Sequence, residues 1–274
     1  MCAELAAVAR LSDAAETACP QLFVSGTAPD LANPKLASRV RELCYSEFAV
    51  LHSGVTRTPL WSAEHLTRAQ VDAARVLDRE GTFHPDPHLP KRERAELTDY
   101  ARSGFDRGHM APSGDMPDRQ AQQESFSLAN IVPQNPDNNR DLWSDIEAVA
   151  RTLARREGEI YVVTGPIFQG EDLQQLNERV LVPTHVFKAI YVPRRQKAGA
   201  YVAPNAPGDA WKAVSIAALE QLTGIDVFPA LPAEIKITAM ALPNPDPPRR
   251  KPRARRDERH PVEQIPFRER RPAE

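Results

Sequence analysis

The chain has 274 residues, 41% hydrophobic and 26% charged, with a formal net charge of −2. That length holds one large domain or two small ones, and that composition supports a sizeable core. No apolar run reaches the ~20 residues of a membrane-spanning helix, and the balanced charge excludes a protein that grips nucleic acid by net charge alone, though not one with local basic patches.

Residues 1–18 read as an alanine-rich extension. No basic stretch precedes an apolar core there, so it makes no convincing signal peptide, although Ala15 to Ala18 fits the remnant of a cleavage region. Cys19 and Cys44 bracket one segment and are expected to pair, the alternative being two unrelated thiols. A pair suits an oxidising compartment and suggests a secreted or periplasmic protein. Between them a short helix is expected at Asn33–Leu43. Phe48–His52 and Pro59–Leu66 read as two strands of a hairpin that opens a sheet. Residues 68–80 have helical composition, and 81–104, with Pro85, Pro87 and Pro90, read as a long surface loop.

Ser127 to Val132 is a short apolar segment stopped by Pro133. Leu142 to Arg155 repeats its apolar residues near 3.6 and reads as a helix that Asn138 or Asp141 would cap. Glu159–Thr164 is a buried strand ended by Gly165-Pro166. Val186–Val192 and Gly199–Val202 are further strands, Trp211–Leu222 a helix that ends at Gly224, and Asp226–Phe228 a short strand. From about Asn244 the chain turns basic and proline-rich with almost no apolar residues, so 244–274 is set apart from the fold as a tail. A solubilising end is the plain reading of it; binding nucleic acid by counterion release is the sharper one.

Chemistry concentrates in two stretches. Asp106-Arg107-Gly108-His109 packs an acid, a guanidinium and an imidazole into four positions. His109 is suited to general acid or base work near neutrality, and Arg107 offers a fork of donors to a phosphate. Asn139 lies eight residues before Glu147. On the first turns of one helix both would share a face, and an amide oxygen with a carboxylate suits a hard divalent cation. Together these are parts for metal-assisted phosphodiester hydrolysis. The same residues fit blander roles. Asp106 and His109 fit a turn hydrogen bond, and Asn135, Asn138 and Asn139 fit turn and capping chemistry.

The string Asp106 to His109, then Leu128-Ala129-Asn130-Ile131-Val132-Pro133-Gln134, then Asn139, Trp143 and Glu147, resembles the DNA/RNA non-specific endonuclease family. Tyr161 to Pro166, Val182 to Lys188 and Tyr201 to Pro207 resemble that family's later strands in the same order, and the likeness covers about residues 45–243. It implies an α+β fold over residues 19–243, with a central, mostly antiparallel sheet flanked by helices and a ββα-metal site. It implies a sugar-non-specific endonuclease that cuts DNA and RNA to 5′-phosphate ends with Mg²⁺, or with Mn²⁺ as its substitute, in a family that includes homodimers. His109 would be the general base and Asn139 the direct metal ligand. Glu147 would support the ion through water, Asp106 and Arg107 would shape the site, and Asn130 and Gln134 would support it. One position departs from the family: the phosphate-binding arginine expected two residues before Phe83 is Gly81, leaving Arg79 or Arg107 to serve. That departure keeps two rivals open, a catalytically impaired nucleic-acid-binding protein and a phosphodiesterase on small substrates. Outside the motifs, Trp143 reads as core, His52, His65 and His185 as scaffold, and Lys188 as a solvated face residue.

Overall fold

The computed structural model describes residues 17–245, so most of the expected extension and nearly all of the basic tail lie outside the described residues. In chain order come β1 (Val40–Cys44), β2 (Phe48–Ser53), β3 (Thr58–Thr67), α1 (Arg68–Ala74), α2 (Leu97–Tyr100), β4 (Asp106–His109), α3 (Arg119–Ser125) and β5 (Ile131–Gln134). After these come α4 (Pro136–Arg140), α5 (Leu142–Glu157), β6 (Glu159–Ile167), β7 (Gln175–Leu176), β8 (Val180–Leu181), β9 (His185–Val192), β10 (Lys197–Pro204), β11 (Lys212–Val214), α6 (Ile216–Thr223) and α7 (Ala233–Ile237). Seven strands form one sheet in the order β1-β2-β3-β6-β9-β10-β11, and every neighbouring pair is antiparallel. Among the described residues no helix is long and apolar enough to cross a membrane.

Period-2 alternation divides the sheet into two faces. Trp61, Val163, Phe187 and Ala189 pack against α6 and the N-terminal segment around Phe23. Val162, Val186, Ile190 and Tyr201 pack against α1 and α5. The periodicity expected of α5 is present: Leu142, Trp143, Ile146, Ala150, Leu153 and Ala154 are its buried residues. Asp141 stands at its N-cap but makes no side-chain cap bond. Asn138, instead of capping, donates Nδ2 to the Pro204 carbonyl at 3.1 Å.

Several expectations are corrected. Asn33–Leu43 is a 3-10 turn, Pro34–Ala37, followed by β1, because Val40 to Cys44 pairs along β2. Strand β6 runs through Gly165 and Pro166 to Ile167, since it continues to pair with β9. Trp211 to Val214 is not helical: Lys212–Val214 adds the last strand, and the helix starts only at Ile216, where Ser215 Oγ accepts from the Ala218 amide at 3.2 Å. Asp226 makes only an isolated bridge with Asp30. The segment 81–104 contains α2 and is pinned by buried acids. Asp86 accepts from Tyr45 Oη (2.5 Å), Ser127 Oγ (2.7 Å) and the His88 amide (2.9 Å), and Asp99 accepts from Arg179 and Asn177. Cys19 and Cys44 are disulfide-bonded, which ties the N-terminal segment to the edge of the sheet.

Candidate active site

Strands β4 and β5 pair antiparallel as a small sheet of their own, with Asp106 opposite Gln134 and His109 opposite Ile131. They are not a tight hairpin: residues 110–130, carrying α3 and two 3-10 turns, connect them. Asn130 closes this excursion. Its Oδ1 accepts from the Ala111 amide (2.9 Å) and Ser62 Oγ (2.8 Å), and its Nδ2 donates to the carbonyls of Ala111 (2.8 Å) and Ser125 (2.9 Å). Two of these bonds hold the backbone of Ala111, two residues after His109, and the other two tie Asn130 to β3 and to the end of α3. Gly108 is required where it stands, because a Cβ there would lie 2.0 Å from Gln134 Oε1. Gln134 in turn donates to Asn138 Oδ1 at 2.7 Å.

Asn139 and Glu147 do not share one helix. Asn139 belongs to α4 and Glu147 to α5, with the break at Asp141 (φ −109°, ψ −93°). Asn205, just past the end of β10, braces the junction of β5 and α4. Its Oδ1 accepts from the Asn135 amide at 2.7 Å, and its Nδ2 donates to the carbonyls of Pro133 (3.0 Å) and Pro183 (2.9 Å). The two side chains nevertheless meet in one cleft of about 400 Å³, lined also by His109, Arg79, Arg107, Arg140 and Arg151.

Of the six residues singled out in the sequence, Arg107, His109, Asn139 and Glu147 line the cleft. Asp106 and Asn130 do not. Asp106 lies behind it, taking Arg140 on both oxygens (2.7 and 2.8 Å) and accepting from Asn139 Nδ2 at 3.0 Å. Burial opposes ionisation of Asp106, but the bonds from Arg140 and Asn139 outweigh it and hold the carboxyl below its usual range. With its nitrogen committed to Asp106, Asn139 has Oδ1 left to offer a cation.

The His109 ring is set between Phe83 (centroids 5.3 Å apart) and Phe126 (4.9 Å). Burial, with the nearby Arg79 charge adding to it, pushes the imidazole down to about 3, so it is neutral at physiological pH. Its Nε2 is buried with no hydrogen-bond partner among the described residues. Burial pushes Glu147 up to about 7 against the opposing pull of Arg151 and Lys188. The cleft has hard oxygen donors in the Asn139 amide and the Glu147 carboxylate, which is the donor chemistry a hard divalent cation takes.

Arg151 is the residue the sequence reading passed over. It donates to the buried Asp115 at 2.8 Å and stands 4.0 Å from Glu147, one turn earlier on α5. The run Trp143, Glu147, Arg151 at intervals of four was the available signal. Arg79, the candidate to replace the family arginine, is in the cleft, 5.5 Å over the Phe126 ring. A Cβ at Gly81 would lie 2.3 Å from that ring, so here position 81 has no room for a side chain. Lys188 is not on a solvated face: it is 1% exposed, and its ammonium donates to Thr164 Oγ1 at 2.6 Å. Trp143 is fully buried core, as expected.

The DNA/RNA non-specific endonuclease profile matches residues 28–234. The mitochondrial nuclease EXOG of Danio rerio is 37% identical over 210 residues, 68% of this chain and 60% of that protein. The human EXOG is 34% identical over 212 residues, 69% of this chain and 57% of that protein. Nuclease C1 of Cunninghamella echinulata var. echinulata is 36% identical over 173 residues, 58% of this chain and 69% of that protein. The solved EndoG/EndoGI complex contains a chain that is 29% identical, with a TM-score of 0.64, covering 77% of this chain and 97% of that one. The chain spans about 60% of the length of the EXOG relatives it matches. With its antiparallel sheet, its separate β4–β5 pair followed by α4 and α5, and these matches, the chain belongs to the DNA/RNA non-specific endonuclease family.

Proposed function

We propose that the chain is a hydrolase, a Mg²⁺-dependent endonuclease that cleaves phosphodiester bonds of DNA and RNA and leaves 5′-phosphate ends. The observation that carries this is the convergence in one cleft of a neutral His109, an Asn139 whose nitrogen is held by Asp106, Glu147, and four arginines. The neutral imidazole takes the proton from the attacking water. Arg79 and Arg107 hold the phosphate and meet its developing charge, Arg107 being braced 4.4 Å over the Phe83 ring. Asn139 Oδ1 and Glu147 are the groups that would hold Mg²⁺. When bound, such an ion neutralises the phosphate and stabilises the departing oxygen. Asp106 sets which face Asn139 presents, and Asn130 holds the backbone on which His109 sits.

Arginines directed at phosphate carry no base information, so cleavage is expected with little sequence preference. Arg79 supplies what Gly81 lacks, which removes the motive for reading the chain as an impaired binder. The EXOG relatives and endonuclease G are mitochondrial by name, and they give no support to the export expected from the cysteine pair. Digestion of plasmid DNA and of RNA with Mg²⁺, with and without chelator, tests the activity; intact substrates under every divalent ion tried would refute it. Product ends that accept label from a polynucleotide kinase only after phosphatase treatment are expected. His109→Ala should abolish cleavage in a chain that still folds.

A further inference from the structure

Below the cleft, the sheet face that packs α5 is not uniformly apolar. Ser62, Glu64, Thr164 and Lys188 lie among Val162, Val186 and Ile190, and each is no more than 1% exposed. Ser62 stands opposite Thr164, Thr164 opposite Lys188, and Glu64 opposite Val162, so the four form a polar band across β3, β6 and β9. Ser62 is committed to Asn130. Lys188 has its bond to Thr164, and its ammonium stands 5.6 Å from the centre of the Trp143 ring. Both carboxylate oxygens of Glu64 are buried without a hydrogen-bond partner among the described residues.

An acid and an amine buried this deeply are costly, and apolar residues of similar volume would fill the space more cheaply. What lies above them accounts for their presence. On α5, Trp143, Glu147 and Arg151 recur every four residues along one face. The charges that act on Glu64 are Asp115, Lys188, Glu147 and Arg151, and those that act on Glu147 include Arg151, Lys188 and Asp115. Acids and bases thus alternate from the sheet through α5 to the turn at Asp115, which receives Arg151.

We infer that Glu64 and Lys188 are positioning residues: buried on the same face of the sheet, they fix the Trp143–Glu147–Arg151 face of α5, and so the place at which Glu147 enters the cleft. This rests on the reading of Asn139 and Glu147 as the metal-holding groups.

The test uses the full chain and Mn²⁺ alone, with the free ion followed by electron paramagnetic resonance, together with thermal unfolding and kcat and KM on DNA. Lys188→Met and Glu64→Gln should each weaken Mn²⁺ binding on the order of 10–100-fold. Both should lower kcat while KM for DNA stays within about threefold, and Lys188→Arg should restore most of the binding. A pure field effect of the lysine has the opposite sign, since removing a positive charge near a cation site strengthens binding. A folded Lys188→Met chain that binds Mn²⁺ as well as, or better than, the unsubstituted chain therefore overturns the inference. If Lys188→Met does not fold, Thr164→Val decides: it keeps both Glu64 and Lys188 and removes the lysine's hydrogen bond. Mn²⁺ binding weakened by about threefold or more supports the inference, and unchanged binding overturns it. An unsubstituted chain that binds no Mn²⁺ removes the metal-site reading itself, an outcome distinct from equal binding by all chains.

Discussion

Asp106→Asn isolates the step that turns Asn139 toward the cleft. The aspartate accepts from Asn139 Nδ2 at 3.0 Å while both its oxygens take Arg140. An asparagine there keeps the shape but has one acceptor oxygen for three N–H donors; its own nitrogen faces Arg140 in either orientation, and Asn139 as well in one of them. A hydrogen bond to a charged acceptor is worth ~1.5–3 kcal/mol. The Asp106 side chain is 20% exposed, which favours the lower end of that range. About 1.5 kcal/mol of lost orientation corresponds to a roughly tenfold drop in kcat. Arg140, with its side chain 68% exposed, acts as a brace and should matter less. The assay is steady-state cleavage of a fluorescent duplex at saturating Mg²⁺ for Asp106→Asn and Arg140→Ala, alongside thermal unfolding. The reasoning fails if Asp106→Asn cleaves at the unsubstituted rate, or if Arg140→Ala, which leaves the Asp106–Asn139 bond in place, is the more damaging change.

Glu147, pushed up to about 7 from an ordinary 4.5, keeps a proton in the folded chain that the unfolded chain has lost between those values. The contribution of Glu147 to the stability of the metal-free protein should therefore fall as pH rises through 4.5–7, by up to on the order of 3 kcal/mol. Glu147→Gln should remove that trend in Tm against pH, and parallel curves would count against it. His109 acts with the opposite sign. Pushed down to about 3, it lowers stability as pH falls below its ordinary 6.5, so His109→Asn should flatten the acid limb. Reducing Cys19–Cys44, which closes a loop of sequence separation 25, should cost about 3 kcal/mol. That is roughly 6–12 °C in Tm for a chain of this size, and an unmoved melt in reductant would show that the loop is held by other means. Gly81→Arg, which restores the family residue, should lower stability by about 1–3 kcal/mol without raising the rate, because its Cβ meets the Phe126 ring.

The motifs were legible because each concentrates unusual chemistry in few positions, and α5, β2, β3, β6, β9 and β10 because their periodicities are strong. The first half of the Trp211–Leu222 segment was misread for a tertiary reason. Lys212–Val214 has no strong pattern of its own and is a strand because the edge of β10 offers it a ladder. Lys188 was misread because a lysine on a strand is ordinarily solvated, and nothing local announces that α5 covers it. The break at Asp141 has no local signal: Asn139 and Glu147 at a spacing of eight fit one helix, and the non-helical backbone of Asp141 divides it in two. Gly81 looked like a loss of function until the Phe126 ring was seen to occupy the space a side chain would need.

The groups proposed for catalysis all lie between Arg79 and Arg151, yet the backbone of Pro133 and Asn135 is held by Asn205, just past the end of β10, and Lys188 comes from β9. During synthesis every cleft residue therefore leaves the ribosome well before the strands that brace it. A half-made chain has the reactive groups without their frame, so the RNA cleavage proposed for it would begin only after the chain has been made beyond β10.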